Sequence, residues 1–574
     1  MRAKTRPNQN LILSCVDNSR FSNHNAFIQA SCLLLALSWS GTVFGQAPTT
    51  NTPPPNGPDT PGSRRTRNRV RPEANPATPN PDKPASETKS GDASSTDKDK
   101  AKDDAQDKPR QTETKHTLTL NGQRLNYTAM TGMMPLKDTE GKTTAEIFFV
   151  AYTKDNVTDL AKRPITFSFN GGPGSASVWM HMGMLGPRRI KLKEDGGALP
   201  PPYELVDNEY SLLDETDLVF IDPVGTGYSR ATKPEDASQF YGLSGDVRSV
   251  GDFIRLYVTK NVRWLSPKFL IGESYGTMRA AALSGELANR QHMNLNGIML
   301  VSTVLNFQTI AGGEANDLPQ VLYLPSFTAT AWHHKKLPPD LQQLPLTEVL
   351  KQAEDFAAGD YNHALLLGDA LPPAERQTVL RQMSRFTGLS ESYLNRADLR
   401  PTLSRFAVEL LRDQNLQVGR YDSRYTGYVQ DRLTETTESD PSYDAVASVF
   451  ASTFNNYART ELKFEEDQPY EILASLRSWN WGEDNGFVNV ADTLAQSMTR
   501  NPFLKVHISC GYSDLATPYF AARYTFSHLR IAPELRKNLI LDYYAAGHMM
   551  YLNLPDLKKS KTDLTNFIRS SYQH

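Results

Sequence analysis

The stretch that most constrains this chain is Lys268 to Glu286, KFLIGESYGTMRAAALSGE. An apolar run, Phe269, Leu270 and Ile271, leads into Ser274, which has Gly272 two residues before it and Gly276 two residues after it. An alanine-rich, helix-favouring run follows. The pattern predicts a sharp strand-to-helix turn, because side chains at the two flanking positions would collide and glycine alone fits both. Such a turn exposes Ser274 at the top of a sheet, with the positive end of the next helix beneath it. The five-residue pattern is short and arises often by chance. Its weight here comes from the strand before it and the helix after it.

Further apolar runs bounded by turns extend the same rhythm: Ile165–Phe169, Leu218–Ile221, Ile298–Val301, Val506–Ile508 and Leu539–Leu541. Each suits a buried strand of a mostly parallel sheet covered by helices. Ahead of them His116–Leu120, Gln123–Met130 and Ala145–Tyr152 read as strands, with Asn121 and Gly122 as the hairpin signal between the first two. Between about Asn306 and Trp481 helical spacing takes over. Leu346, Val349, Leu350, Ala353, Phe356 and Ala357 share one face, as do Phe406, Leu410 and Leu411. The expected organisation is a first part of the core at 114–305, a helical cap inserted at 306–485 and packed over the top of the sheet, and a second part of the core at 486–574.

Residues 1–46 read as a secretory signal. Arg2, Lys4, Arg6 and Arg20 supply positive charge, Ala30 to Trp39 a short apolar core, and Val43, Phe44 and Gly45 a cleavage site before Gln46. The core is short for a membrane span, so no stable membrane insertion is expected after cleavage, although an uncleaved anchor or a mis-assigned start codon is the competing reading. Residues 47–113, rich in Pro, Asn, Thr and Ser and then in Asp and Lys, bury too little apolar surface to fold and read as a disordered linker. Its cluster of Arg64, Arg65, Arg67, Arg69 and Arg71 reads as solvated, with an anionic cell-wall or membrane contact as the alternative. Of three cysteines, Cys15 and Cys32 lie within the signal, which leaves Cys510 alone and unable to form an internal disulfide. Secretion with so few cysteines resembles a bacterial periplasmic protein, so the expected location is secreted or periplasmic. A net charge of -2, from 62 Lys+Arg against 64 Asp+Glu, gives no reason to propose nucleic acid as a partner.

A nucleophilic serine needs a base, and the base needs an orienting acid. In α/β-hydrolases these follow in the order Ser, Asp, His, each at the C-terminal end of a strand. Beyond Val506–Ile508 lies GYSDLATP with Asp514, and beyond Leu539–Leu541 lies YYAAGHMMYL with His548. Read singly, Asp514 is equally a helix cap and His548 a loop histidine. With the elbow they form a candidate triad. An oxyanion requires preplaced N–H donors. The backbone N–H of Tyr275 is one candidate. The second is Gly172, in the glycine-rich turn Asn170 to Gly174, which lacks the lysine of a phosphate loop.

These residues together resemble the serine carboxypeptidase family. NGGPGSAS at Asn170 to Ser177, DLVFIDPVGTGYS at Asp217 to Ser229, GESYG around Ser274, the aspartate at 514 and AGHMM ending at Met550 carry the resemblance, which runs from about His116 to the C-terminus and is weakest in the cap. It implies an α/β-hydrolase fold, no metal or other cofactor, and removal of single residues from the C-termini of peptides or small proteins. It also implies the triad Ser274, Asp514, His548 and the oxyanion donors Gly172 and Tyr275. In the family the substrate carboxylate is held by the asparagine opening NGGPG and by two glutamates sharing a proton. Asn170 and Glu273 match two of these three. The second glutamate, just before Leu-Gly-Pro, is Met184 here, so Asn170 and Glu273 must suffice or recruit another donor, and the family's preference for acid pH is not implied. The family's disulfide cysteine after NGGPG is Ser175. His181 and Arg279 are near in sequence without being placed in the pocket.

Weaker features have bland readings. His333 and His334 lack further ligands at metal spacing. Gly225 to Ser229 reads as a strand-end turn, and Tyr421, Tyr425 and Tyr428 as packing between cap and sheet, with lining of the cap as the alternative. Two competing functions stand beside the carboxypeptidase: an esterase or acyltransferase on the same fold, because a weaker carboxylate site admits other leaving groups, and an inactive hydrolase-fold scaffold.

Overall fold

The computed structural model describes residues 110–572, apart from 314–315, 477–478 and 483–485. The signal at 1–46, the arginine cluster and nearly all of the linker at 47–113 lie outside the described residues. Strand β1 (Gln111–Leu120) nevertheless starts inside the span expected as linker and ahead of His116. It is an edge strand, and its first seven residues alternate between exposed and half-buried. A strand with one face only half covered can be built from Gln, Thr, Glu and Lys, so its composition looked like that of a linker.

Asn121 and Gly122, with φ of 51° and 75°, turn β1 into β2 (Gln123–Lys137), and Leu120 pairs with Gln123. Two successive left-handed residues give the turn whose twist matches the strands it joins. Then come β3 (Thr143–Lys154), β4 (Ile165–Phe169), β5 (Asp217–Ile221), β6 (Lys268–Ser274), β7 (Gly297–Thr303), β8 (Lys505–Gly511) and β9 (Leu539–Tyr544). They form one sheet in the order β1-β2-β3-β5-β4-β6-β7-β8-β9, with Arg230–Ala231 added beside β3. Pairing is antiparallel as far as β3–β5 and parallel from there on.

Alternation along the strands feeds two cores. Leu270 of β6 faces one, and Phe269 and Ile271 face the other. Helices α1 (Leu243–Lys260) and α2 (Tyr275–Arg290) cover the first face, and the C-terminal helix Leu554–Tyr572 the second. The segment 306–485 carries a run of helices, and Val349, Leu350, Ala353 and Phe356 are buried on one side of Leu346–Phe356. Its helices are divided between the two cores. Leu318–His333, Leu346–Phe356 and Pro373–Thr387 extend the first core, while Val446, Val449, Phe450, Phe454 and Tyr457 of Pro441–Thr460 join the second. Between the two groups a two-stranded ribbon, Leu416–Val418 with Thr426–Tyr428, holds up the loop 419–425. No helix among the described residues is long and apolar enough to cross a membrane.

Candidate active site

The site is assembled by strand register. Phe169, the last residue of β4, pairs with Gly272 of β6, so the chain leaving β4 at Asn170 runs directly over the turn that ends β6. At that turn Ser274 has φ 60° and ψ −130°, a strained backbone for a residue with a side chain. A Cβ on Gly272 would strike the carbonyl of Gly276, and one on Gly276 would come within 2.9 Å of the Phe169 oxygen. A Cβ on Gly171 would approach the Tyr275 nitrogen to 2.5 Å. The glycines are therefore needed by the close approach of two backbones, and that approach brings the Gly172 loop beside the first N–H groups of α2.

The neighbouring strands β8 and β9 bring in Asp514 and His548. Gly511 pairs with Tyr544, and the ladder continues past the strands through Tyr512 N–H to Tyr544 O at 3.0 Å and Ser513 N–H to Ala546 O at 3.2 Å. His548 Nδ1 then lies 2.7 Å from Asp514 Oδ2. Asp514 is fully buried, and its carboxylate also accepts the N–H groups of Ala516 and Thr517 and the Thr517 hydroxyl, at 2.7, 2.9 and 2.8 Å. His548 is fixed through its own backbone, donating to Tyr421 O at 2.5 Å and accepting from the Ser302 hydroxyl at 2.6 Å. Burial opposes a charge on the imidazole. The Asp514 carboxylate, its hydrogen bond and Glu273 outweigh burial and hold the imidazole above its ordinary value.

Ser274 and His548 line one cavity together with Asn170, Gly172 and Glu273. Its walls are Trp179, Tyr421, Tyr443, Leu473 and Met549, with Arg420 also on the lining. Glu273 is buried, and its Oε2 accepts from Asn170 Nδ2 at 2.6 Å and from the Tyr551 hydroxyl at 2.7 Å, while the residue lies on the cavity lining. Burial pushes the Glu273 carboxyl up to about 7 against the pull of His548, Tyr551 and Asn170. Tyr551 is itself buried, and burial beside Glu273 holds its hydroxyl well above the usual value, so it acts as a permanent donor. Asn170 is held from both ends: Oδ1 accepts from Met180 N–H at 3.2 Å, and its carbonyl accepts from Arg279 at 2.6 Å.

Arg279 is thus a support beneath the loop. It is buried between the rings of Phe169 and Tyr275 and paired with Asp246 of α1 at 2.8 Å, while the Tyr275 hydroxyl donates to the same carboxylate at 3.1 Å. His181 lies in the second core, stacked on Phe220 and bonded to the Tyr152 hydroxyl at 2.7 Å, with burial driving its imidazole down to about 3. Met184 is buried among apolar side chains of that core and is not on the cavity lining. Ser175 accepts from the Trp179 indole at 2.9 Å. His334 meets the Ser423 carbonyl oxygen at 2.7 Å. Of the three cap tyrosines only Tyr421 reaches the cavity, and Tyr428 is exposed. Sequence reading passed over Tyr551, Arg420 and Asp246. Tyr551 sits three residues after His548, in a motif read only for its histidine.

Sheet order, elbow and cavity define the molecule as an α/β-hydrolase. Residues 121–538 match the family model for serine carboxypeptidase, and the chain belongs to that family. His548 lies beyond the matched residues. Among curated relatives, serine carboxypeptidase-like 36 of Arabidopsis thaliana is 28% identical over 167 residues, covering 28% of this chain and 32% of the relative. The pheromone-processing carboxypeptidase KEX1 of Saccharomyces cerevisiae is 31% identical over 155 residues, covering 25% of this chain and 20% of the relative. The chain thus aligns with a third or less of either relative's length. A crystal structure of that prohormone-processing yeast carboxypeptidase superposes with a TM-score of 0.49 at 16% identity, covering 77% of this chain and 91% of the other.

Proposed function

We propose that the protein is a serine carboxypeptidase that releases the last residue of a peptide or small protein through an acyl-enzyme. Ser274 Oγ attacks the final peptide carbonyl while His548 Nε2 takes its proton, with Nδ1–H held by Asp514. The N–H groups of Gly172 and Tyr275 receive the oxyanion. His548 returns the proton to the departing amine, and water then splits the ester. Asn170 and protonated Glu273 receive the substrate's terminal carboxylate, the latter through Oε1, since Oε2 already accepts from Asn170 and Tyr551. The single observation that carries this reading is that Ser274 and His548 line the same cavity as the hydrogen-bonded Asn170–Glu273 pair, so a nucleophile and a carboxylate-binding pair share one pocket.

The test is release of free amino acid from N-blocked dipeptides, together with labelling by an organophosphorus serine reagent. Both are expected of the native chain and neither of Ser274→Ala, with far-UV circular dichroism unchanged. Labelling that persists in the variant rules out Ser274 as the nucleophile. The apolar burial of Met184, which leaves one carboxyl where the family has two, favours an esterase as the second reading. Faster turnover of simple esters than of any free-acid dipeptide would favour it over the first.

A further inference from the structure

Arg420 is the one arginine or lysine among the residues lining the cavity. Its backbone is tightly held. The N–H donates to Asp440 Oδ1 at 3.1 Å, the carbonyl accepts from Leu515 N–H at 3.1 Å, and the carbonyl of the next residue carries His548. Asp440 caps the helix Pro441–Thr460, and its oxygens are taken up by the N–H groups of Arg420, Tyr421 and Ser442 and by the Ser442 hydroxyl.

The head group is tied to the Tyr421 side chain but to no carboxylate among the described residues. Nearby Arg424 and Arg412 are paired with Asp422 and Glu409, whereas the exposed Arg420 guanidinium has no carboxylate partner among the described residues and lies over the Tyr421 ring, 5.4 Å from its centre. A cation on a fixed backbone, stacked on an aromatic wall and facing a small cavity, is suited to receive an anion.

We propose that Arg420 binds a carboxylate of the amino acid that the enzyme releases. This rests on the carboxypeptidase reading above. The carboxylate has two sources with one chemistry: the terminal carboxylate itself, which finds here the donor that Met184 does not supply, or the side chain of a terminal Asp or Glu. Arginine remains charged at every working pH, so unlike Glu273 it holds an anion above neutrality. Arg420 also opposes a proton on His548. A bound carboxylate cancels that opposition when His548 must take the serine proton.

Four N-blocked dipeptides with a common first residue separate the sources: one ending in Leu, its amide, one ending in Glu and one ending in Gln. In Arg420→Gln the kcat/KM preference for Leu over Leu-amide, or for Glu over Gln, is expected to fall roughly tenfold, chiefly through KM, the effect of one charge-assisted hydrogen bond. The first pattern assigns the terminal carboxylate and the second the side chain. Arg420→Lys should restore part of whichever preference is lost, which a purely structural role would not do. In the native protein the same preference should shrink as salt is raised. Both ratios unchanged in Arg420→Gln, or a preference indifferent to salt, overturns the proposal. If the native protein labels at Ser274 yet cleaves none of the four, the carboxypeptidase reading falls and Arg420 with it.

Discussion

Glu273 has to be protonated to donate to a carboxylate, and burial holds its carboxyl up to about 7. His548 has to be neutral to act as a base, and it is held above its ordinary value. On free-acid substrates kcat/KM should therefore fall as pH drops through the His548 transition and fall again as pH rises through that of Glu273, giving a bell near neutrality whose limbs belong to the coupled pair. Esters and amides without a terminal carboxylate should lack the alkaline limb. Tyr551 donates to the charged form of Glu273, so Tyr551→Phe should raise the Glu273 transition and move the alkaline limb to higher pH, by up to about one unit. A pH–rate profile on one dipeptide checks it, and a limb that stays put or moves down contradicts it. Glu273→Gln should remove that limb. Ser274 was legible because sterics around a tight turn dictate its neighbours. Tyr551 and Arg420 were not, because a tyrosine and an arginine fit anywhere and acquire meaning only from what the fold sets opposite them.

At the level of elements, the loop after β4, the start of α2 and the first turn of α1 are fastened together by Arg279, Asp246 and Tyr275. Removing one member leaves a charge buried without its partner, so Asp246→Ala should cost about 3–5 kcal/mol, read from the urea midpoint. A loss within experimental error would mean that Arg279 finds another partner. The parallel strands were readable because each is a short apolar run between turns, and Ile165–Phe169 was delimited to the residue. The first half of β1 and the far half of β2 were not, because polar and small residues such as Gln111, Thr112, Thr131 and Gly132 occupy them, whereas β3 was missed only by two residues at each end. The division of the cap helices between two cores was also hidden, since periodicity reveals a buried face but not what buries it.

Across the described residues two large cores do the work that covalent staples do elsewhere. Cys510 is free and buried, and burial raises its thiol, leaving it unreactive. With one cysteine from residue 47 onward, the thermal midpoint of a chain beginning at residue 47 should be the same with and without a thiol reductant, and a drop in reductant would reveal a disulfide between chains. The central claim is that one cavity joins the nucleophile of an acyl transferase to a receptor for a chain's last carboxylate. Its most direct test is mass spectrometry of a mixed peptide library incubated with the protein, beside the same peptides amidated at the C-terminus. The account predicts ladders that shorten one residue at a time from the free C-terminus, with amidated peptides cut far more slowly and nothing cut by Ser274→Ala. Internal cleavage, or equal trimming of free and amidated ends, would contradict it.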